Sequence, residues 1–275
     1  MTAGAVSSPL PGASPRADTA GRPAGFWRDL TSVAIRALRQ IPREPEAIYP
    51  ALVIPLFFFA VNVGTLSDVA SFAGVSDFKA FQIPVAIVFA VTGVSRASAL
   101  VVDITGGYFD RLLVTPMHRT ALLLGLMLAD LALVIALSVP VVLLGYVLGV
   151  RFATGVAGVL VFLLLAGLWG LAFTGFPYAI ALRTGSPAAV NSSFLLFFPF
   201  AFLTTTFLPL DALSGWLATA ARFNPVTYLL AALRALIMDG WALTPLLQGL
   251  AAIAGVGLVS FVLAFRSLRS RTSRR

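Results

Sequence analysis

Six long apolar runs, separated by short polar segments, dominate the chain from residue 48 onward. They occupy residues 48–66, 81–101, 121–148, 156–182, 188–208 and 245–265. A helix needs about 20 mostly apolar residues to cross the hydrocarbon of a bilayer, and lipid offers no partner to an open backbone. The pattern therefore predicts an all-α, polytopic membrane protein with six transmembrane helices within residues 44–266. The second run is the weakest because it contains Arg96.

The segment before the first run is amphipathic at helical spacing. Between residues 27 and 41, tryptophan and aliphatic residues fall on one side of a helix, and arginines fall on the other. We expect residues 26–43 to form a helix in the inner headgroup plane, where anionic lipid attracts the arginines; an anchor with no other role is the alternative. Residues 1–25, rich in Ala, Ser, Pro and Gly, are predicted to be a disordered cytoplasmic tail, and residues 267–275 a basic one.

Composition argues against several classes of protein. The chain is 59% hydrophobic and 11% charged, with a mean hydropathy of +0.96, whereas soluble domains are about 25% charged. It has no cysteine and one histidine, His118, so a disulfide, a metal site or a histidine-dependent catalytic group is not expected. The net charge is +8, but the basic residues lie beside the apolar runs rather than on a polar face, so they do not indicate nucleic-acid binding.

The distribution of basic residues predicts the orientation. Fifteen arginines lie in the two tails and in the loops on their side of the membrane, whereas the other side has Lys79, Arg151, Arg222 and Arg234. Because cytoplasmic segments carry the excess of basic residues, both termini are expected to be cytoplasmic.

The loop between the second and third runs reads GGYFDRLLVTP at residues 106–116. Its two glycines permit a sharp turn, its acid falls in the first turn of a short helix, and its proline prevents continuation. The apolar residues between them are too few to span a membrane and too apolar for water, so they need the membrane surface or a partner's groove. An ordinary loop with solvated charges is the simpler alternative.

This loop resembles the corresponding loop of type-2 ABC permeases, most closely those of the daunorubicin/doxorubicin-resistance type. A second stretch, NPVTYLLAALRAL at residues 224–236, resembles the segment that precedes the last span in that family. The resemblance implies that the first stretch forms a coupling helix that contacts a nucleotide-binding subunit. The residues it assigns to this contact are Gly106, Gly107, Tyr108, Phe109, Asp110, Arg111, Leu112, Leu113 and Pro116.

The same resemblance implies the partners. Two permease chains, here a homodimer, would work with two ATPase subunits that bind ATP and magnesium, in a bacterial plasma membrane. This chain has no P-loop, and its single lysine, Lys79, lies in an outer loop. The implied substrate is a hydrophobic or amphipathic molecule, either an antibiotic-like drug or a lipid, and export of a lipid-linked polysaccharide is an alternative.

Residues 209–241 are too long for a turn and too apolar for a free loop. Two short helices dipping into the outer leaflet would bury their aromatic residues and leave the charged residues near the headgroups. The resembled family has a re-entrant segment here that caps the pathway, and an interfacial aromatic belt is the alternative. The residues assigned to this region are Asn224, Pro225, Tyr228 and Arg234.

Polar and aromatic residues within the runs are candidates for a substrate pathway. Asp130 lies inside the third run, where a charge costs about 2.5–3.5 kcal/mol, so it needs a partner. Pairing with Arg96 or a cationic substrate is one interpretation, and a structural hydrogen bond between helices is the other. The fifth run combines phenylalanines with hydroxyls and would suit a flat, partly aromatic substrate, although phenylalanine can equally face lipid. Its candidates are Phe194, Phe197, Phe198 and Thr205.

Two other classes of function are less consistent with the sequence. A secondary transporter acting without an ATPase would need several ionisable groups inside the membrane and inverted repeats. Only Arg96 and Asp130 approach the first requirement, and no repeat is visible. An intramembrane enzyme needs a cluster of acids, histidines or a nucleophile with its base, which the runs do not contain.

Overall fold

The computed structural model describes residues 25–273, except for residues 44, 73, 93 and 114–117. Within these residues the chain is all-α and has no β-strand, as the apolar pattern predicts. The α-helices of this part of the chain are α1 (Phe26–Gln40), α2 (Pro45–Phe72), α3 (Phe78–Thr92), α4 (Ala97–Thr105), α5 (Tyr108–Leu113), α6 (Arg119–Val147), α7 (Gly155–Thr184), α8 (Pro187–Ser192), α9 (Phe197–Phe202), α10 (Gly215–Phe223), α11 (Pro225–Met238) and α12 (Leu243–Ser273).

Five helical stretches in the described chain are long and apolar enough to cross a membrane. They are Ile48–Asp68, Phe78–Thr105, Arg119–Val147, Gly155–Thr184 and Leu243–Arg271. Two shorter apolar stretches, Pro187–Phe202 and Pro225–Met238, fall below that length. The predicted count of six spans is therefore not confirmed, because the run at residues 188–208 does not form one long helix.

A proline accounts for part of the interruption in that run. α8 and α9 are separated by a 3-10 turn at Ser193–Leu196, and α9 ends at Phe202. Pro199 has no backbone N–H and its ring crowds the carbonyl four residues earlier, so an α-helix cannot run unchanged through it. Beyond α9, the backbone at residues 203–206 bonds to α3 and α11 instead of continuing a helix.

The second apolar run is also divided, into α3 and α4, with the break just before Arg96. The Ser95 hydroxyl accepts the N–H of Ala97 over 3.0 Å, and a carboxylate oxygen of Asp130 accepts the N–H of Arg96 over 2.9 Å. Side chains thus satisfy two of the backbone donors that a helix leaves open at its first turn.

Small residues let the long helices pack closely. A Cβ built on Gly170 of α7 would lie 2.8 Å from Val134 of α6, and one on Gly175 would lie 2.6 Å from Ser260 of α12. α7 therefore packs between α6 and α12. The Ser260 hydroxyl also donates to the Ala172 carbonyl, which joins α12 to α7 inside the core.

α1 packs along the first half of α6. The backbone of Leu30 and the side chain of Val33 approach Gly125, where an added Cβ would lie 2.8 Å from each. The buried face of α1 carries Leu30, Val33, Ala34 and Ala37, which matches the amphipathic pattern. α2, in contrast, leaves much of its apolar surface exposed in this single chain.

Candidate functional site

The loop at residues 106–113 begins with a glycine turn. Gly107 has a φ of +72°, which residues with a side chain rarely adopt. Gly106 donates its N–H to the Val102 carbonyl over 2.9 Å, and a Cβ there would lie 3.1 Å from that oxygen. α5 then follows as a single short helix. Outside the described part lie Pro116 and the side chains of Asp110, Leu112 and Leu113.

The two aromatic residues of α5 point in different directions. Phe109 is only 1% exposed and belongs to a buried apolar cluster to which α1, α4, α6, α7, α8 and α12 contribute. Tyr108 is 39% exposed, and Arg111 is exposed. Phe109 therefore anchors α5 to its own chain and is not available to a partner. The surface that α5 presents outward includes Tyr108 and Arg111.

α1 contacts the chain on both sides of this loop. Arg36 forms an ion pair with Asp103 of α4 at 2.8 Å, and its guanidinium lies 4.7 Å from the centre of the Tyr108 ring. On the far side, the N–H of His118, the residue before α6, donates to the Asp29 carboxylate over 3.1 Å. These contacts fix the position of α5 relative to α1, α4 and α6.

Asp130 is fully buried at the break between α3 and α4. One carboxylate oxygen accepts the backbone N–H of Arg96 over 2.9 Å, and the other accepts the Tyr178 hydroxyl of α7 over 2.8 Å. The Arg96 guanidinium donates to Gln40, at the end of α1, over 3.2 Å. Asp130 thus joins three helices through hydrogen bonds, which favours the structural interpretation of this residue over binding of a cationic substrate.

A cavity of about 750 Å³ lies beside this break. Its walls come from the first half of α2, the end of α3, the start of α4, and α8 with the turn after it, and its lining mixes aliphatic and aromatic side chains with hydroxyls, an amide and Arg96. The lining includes Ile41, Ala51, Ile54, Phe89, Thr92, Ser95, Arg96, Ser98, Asn191, Ser193 and Phe194. This volume falls in the usual range for small-molecule pockets, about 300–1,000 Å³.

The structure brings only two of the predicted pathway residues to this cavity, Arg96 and Phe194. Phe197 is fully buried, packed edge-on against Phe89 at 5.4 Å between ring centres, whereas Phe198 is 38% exposed. Sequence reasoning missed the wall supplied by α2 and the contribution of Phe89. An apolar residue that lines a cavity carries no signal that separates it from one that faces lipid.

Thr205 lies away from the cavity, where it holds Arg234 of α11. The Arg234 guanidinium donates to the Thr205 hydroxyl at 2.9 Å, to the Thr205 carbonyl at 2.7 Å and to the Phe81 carbonyl at 3.1 Å. It also lies 3.4 Å from the centre of the Phe81 ring. Arg234 is only 8% exposed, because these protein acceptors replace water around its guanidinium. Its predicted position near the headgroups stays a prediction.

The start of α11 is tied to the same segment. Asn224 caps the helix by accepting the N–H of Val226 over 2.9 Å, and Pro225 occupies the first turn. The Asn224 amide also donates to the carbonyls of Phe200 and Leu203, at 2.6 and 2.8 Å. The hydroxyl of Tyr228 bonds to the Arg222 carbonyl at 2.6 Å. Asn224 thus holds the end of α9 against the start of α11, and Tyr228 joins α11 to α10.

Comparison with known proteins identifies relatives across most of the chain. The profile of the family described as "ABC-2 type transporter" matches residues 28–238, which include α5 and the cavity. The "Probable doxorubicin resistance ABC transporter permease protein DrrC" of Mycobacterium tuberculosis is 27% identical over 230 residues, 82% of this chain and 83% of its own length. The "Daunorubicin resistance ABC transporter permease protein DrrB1" of Streptomyces coeruleorubidus is 25% identical over 236 residues, 83% of this chain and 78% of its own.

Proposed function

Because the chain belongs to the ABC-2 type transporter family, we propose that it is the membrane-spanning permease subunit of an ATP-driven exporter. The observation that carries this proposal is the family match across residues 28–238, a range that contains both α5 and the cavity. A separate ABC subunit would bind and hydrolyse ATP with magnesium, since this sequence contains no P-loop. A second copy of the permease would complete the transporter as a homodimer.

The proposed contact with the ATPase is the outward surface of α5. Phe109 anchors the helix in the core of this chain, the Arg36–Asp103 ion pair holds α4 to α1, and the Arg36 guanidinium also contacts the Tyr108 ring of α5. A partner that moves α5 would therefore also move α4, which begins at the Asp130 cap. This connection offers a route from ATP hydrolysis on the partner to the walls of the cavity.

The cavity beside Arg96 is the proposed substrate site. Phenylalanine and aliphatic walls supply contact area, while hydroxyl and amide groups supply scattered polar partners, a combination that suits an amphipathic molecule. The names of two relatives refer to doxorubicin and daunorubicin resistance, which supports a hydrophobic drug as the substrate class. A lipid of similar amphipathic character is the alternative within the same mechanism.

The proposed topology has six crossings with both termini in the cytoplasm. The fifth crossing would be the interrupted stretch of α8, the 3-10 turn and α9, continued by the segment bound to α11. α10 and α11 would form the outer re-entrant region, and the arginine-rich ends would face the cytoplasm under the positive-inside rule. Residues 26–43 would be the interfacial segment and residues 44–266 the membrane domain.

Reconstitution in proteoliposomes tests the function directly. The permease and its candidate ATPase subunit are reconstituted together and separately, and uptake of doxorubicin into inverted vesicles is followed by fluorescence. We expect uptake only when both subunits, ATP and magnesium are present. Uptake by the permease alone, driven by an ion gradient, would instead support a secondary transporter.

A further inference from the structure

A second, smaller cavity of about 330 Å³ lies in the groove between α1 and α6. Thr31, Ile35 and Leu38 line it from α1, and Leu131, Ala132 and Ile135 line it from α6. The Thr31 hydroxyl donates to the Trp27 carbonyl over 2.8 Å, within its own helix. Because the one hydroxyl in this lining is bonded within its own helix, the groove offers an apolar surface. The groove is open at the surface of the chain.

Two arginines of α1 lie beside this groove. Arg28 precedes Thr31 by one helical turn, and Arg39 follows Ile35 by one turn. Both side chains are exposed, and neither has a hydrogen-bond or ion-pair partner among the residues that the structure describes. They differ in this from Arg36 on the same helix, whose guanidinium is held by Asp103.

The combination of features indicates one kind of occupant. α6 is one of the candidate membrane spans, so a groove on its outer surface meets lipid in a bilayer. Trp27, whose side chain is 74% exposed, lies beside Arg28 in the first turn of α1. Tryptophan is enriched at membrane interfaces. An open apolar groove accepts an acyl chain, and the adjacent arginines attract a negatively charged headgroup.

We propose that the α1–α6 groove binds an acyl chain of an anionic phospholipid, with Arg28 or Arg39 attracting the headgroup, depending on the end of the groove at which it lies. This inference rests on the proposed membrane crossing of α6 but not on the transport activity. Because α1 also holds the α5 loop through Arg36 and Asp29, a bound lipid would support the surface proposed for the ATPase.

Native mass spectrometry of the purified full-length chain tests the site. The protein is incubated with equal amounts of phosphatidylglycerol and phosphatidylcholine, and the retained lipids are counted. We expect the wild type to retain phosphatidylglycerol in preference. Ala132→Trp, at an exposed position, fills the groove and should lower retention at least fivefold; Ile35→Trp fills it from the facing helix and repeats the test if the first variant does not fold.

Two comparisons separate the site from general lipid adhesion. Ala136→Trp, exposed one turn further along α6 and outside the groove lining, should retain lipid as the wild type does. Arg28→Gln with Arg39→Gln should abolish the preference for phosphatidylglycerol, whereas Arg222→Gln should not. Equal loss in Ala136→Trp, or no loss when the groove is filled, would overturn the proposal. This readout needs neither ATPase nor transport, so it can fail while the exporter function stands.

Discussion

Replacing Arg234 tests whether this side chain of α11 holds the segment after α9 in place. The guanidinium makes three hydrogen bonds, two to Thr205 and one to Phe81, from a position that is 8% exposed. A hydrogen bond to a charged group contributes about 1.5–3 kcal/mol, and methionine would regain part of the loss by apolar burial. We therefore expect Arg234→Met to lower the free energy of unfolding by about 3–5 kcal/mol. Arg234→Lys keeps the charge but not the planar fork, so its loss should be intermediate.

The assay is unfolding of the purified chain by a denaturing detergent, followed by circular dichroism. Arg222→Met is the matched control, because Arg222 is exposed on neighbouring α10, and it should change the free energy of unfolding by less than about 0.5 kcal/mol. If Arg234→Met proves as stable as Arg222→Met, the guanidinium does not hold Thr205 as the geometry indicates.

Three further predictions use the same purified chain. Asp130→Asn keeps an acceptor for the N–H of Arg96 and should cost less unfolding free energy than Asp130→Leu, by about 1–3 kcal/mol; equal losses would contradict the capping role. Ala51→Trp should reduce transport at least tenfold by filling the large cavity, and it should leave co-purification with the ATPase unchanged. Ala60→Trp, on the same helix but outside the lining, should not reduce transport in this way. Gly125→Ala should displace α1 and speed tryptic cleavage within it, since its Cβ would lie 2.8 Å from backbone; unchanged cleavage would contradict that packing.

The sequence predicted an all-helical membrane protein because the length of the apolar runs and the scarcity of charged residues are enough to indicate this class. Apolar runs of sufficient length located four of the long helices directly, and helical spacing located the buried face of α1. The second and fifth runs were harder, because an apolar run does not reveal where the backbone finds other partners. Pro199 signals a kink, but the bonds from Asn224 and Arg234 to the segment after α9 depend on contacts distant in sequence.

The candidate site was less predictable for the same reason. Asp130 clearly needed a partner, yet its partners are a backbone N–H 34 residues earlier and a tyrosine 48 residues later. Within α5, nothing in the sequence separates buried Phe109 from exposed Tyr108, since both are aromatic neighbours in one short helix. The α2 wall of the large cavity was missed because lipid-facing and cavity-facing residues have the same apolar character.

The central claim is that α5 contacts the ATPase subunit on the cytoplasmic side of the membrane. Labelling of a single cysteine that replaces Arg111 tests this claim most directly. The chain has no cysteine, so Arg111→Cys and the control Arg222→Cys, on the proposed outer side, each create a unique thiol. We predict that a membrane-impermeant maleimide labels position 111 only in inside-out vesicles, that the bound ATPase subunit protects it, and that position 222 is labelled only from the opposite side. Labelling of position 111 from the exterior, or labelling that the ATPase leaves unchanged, would contradict the account.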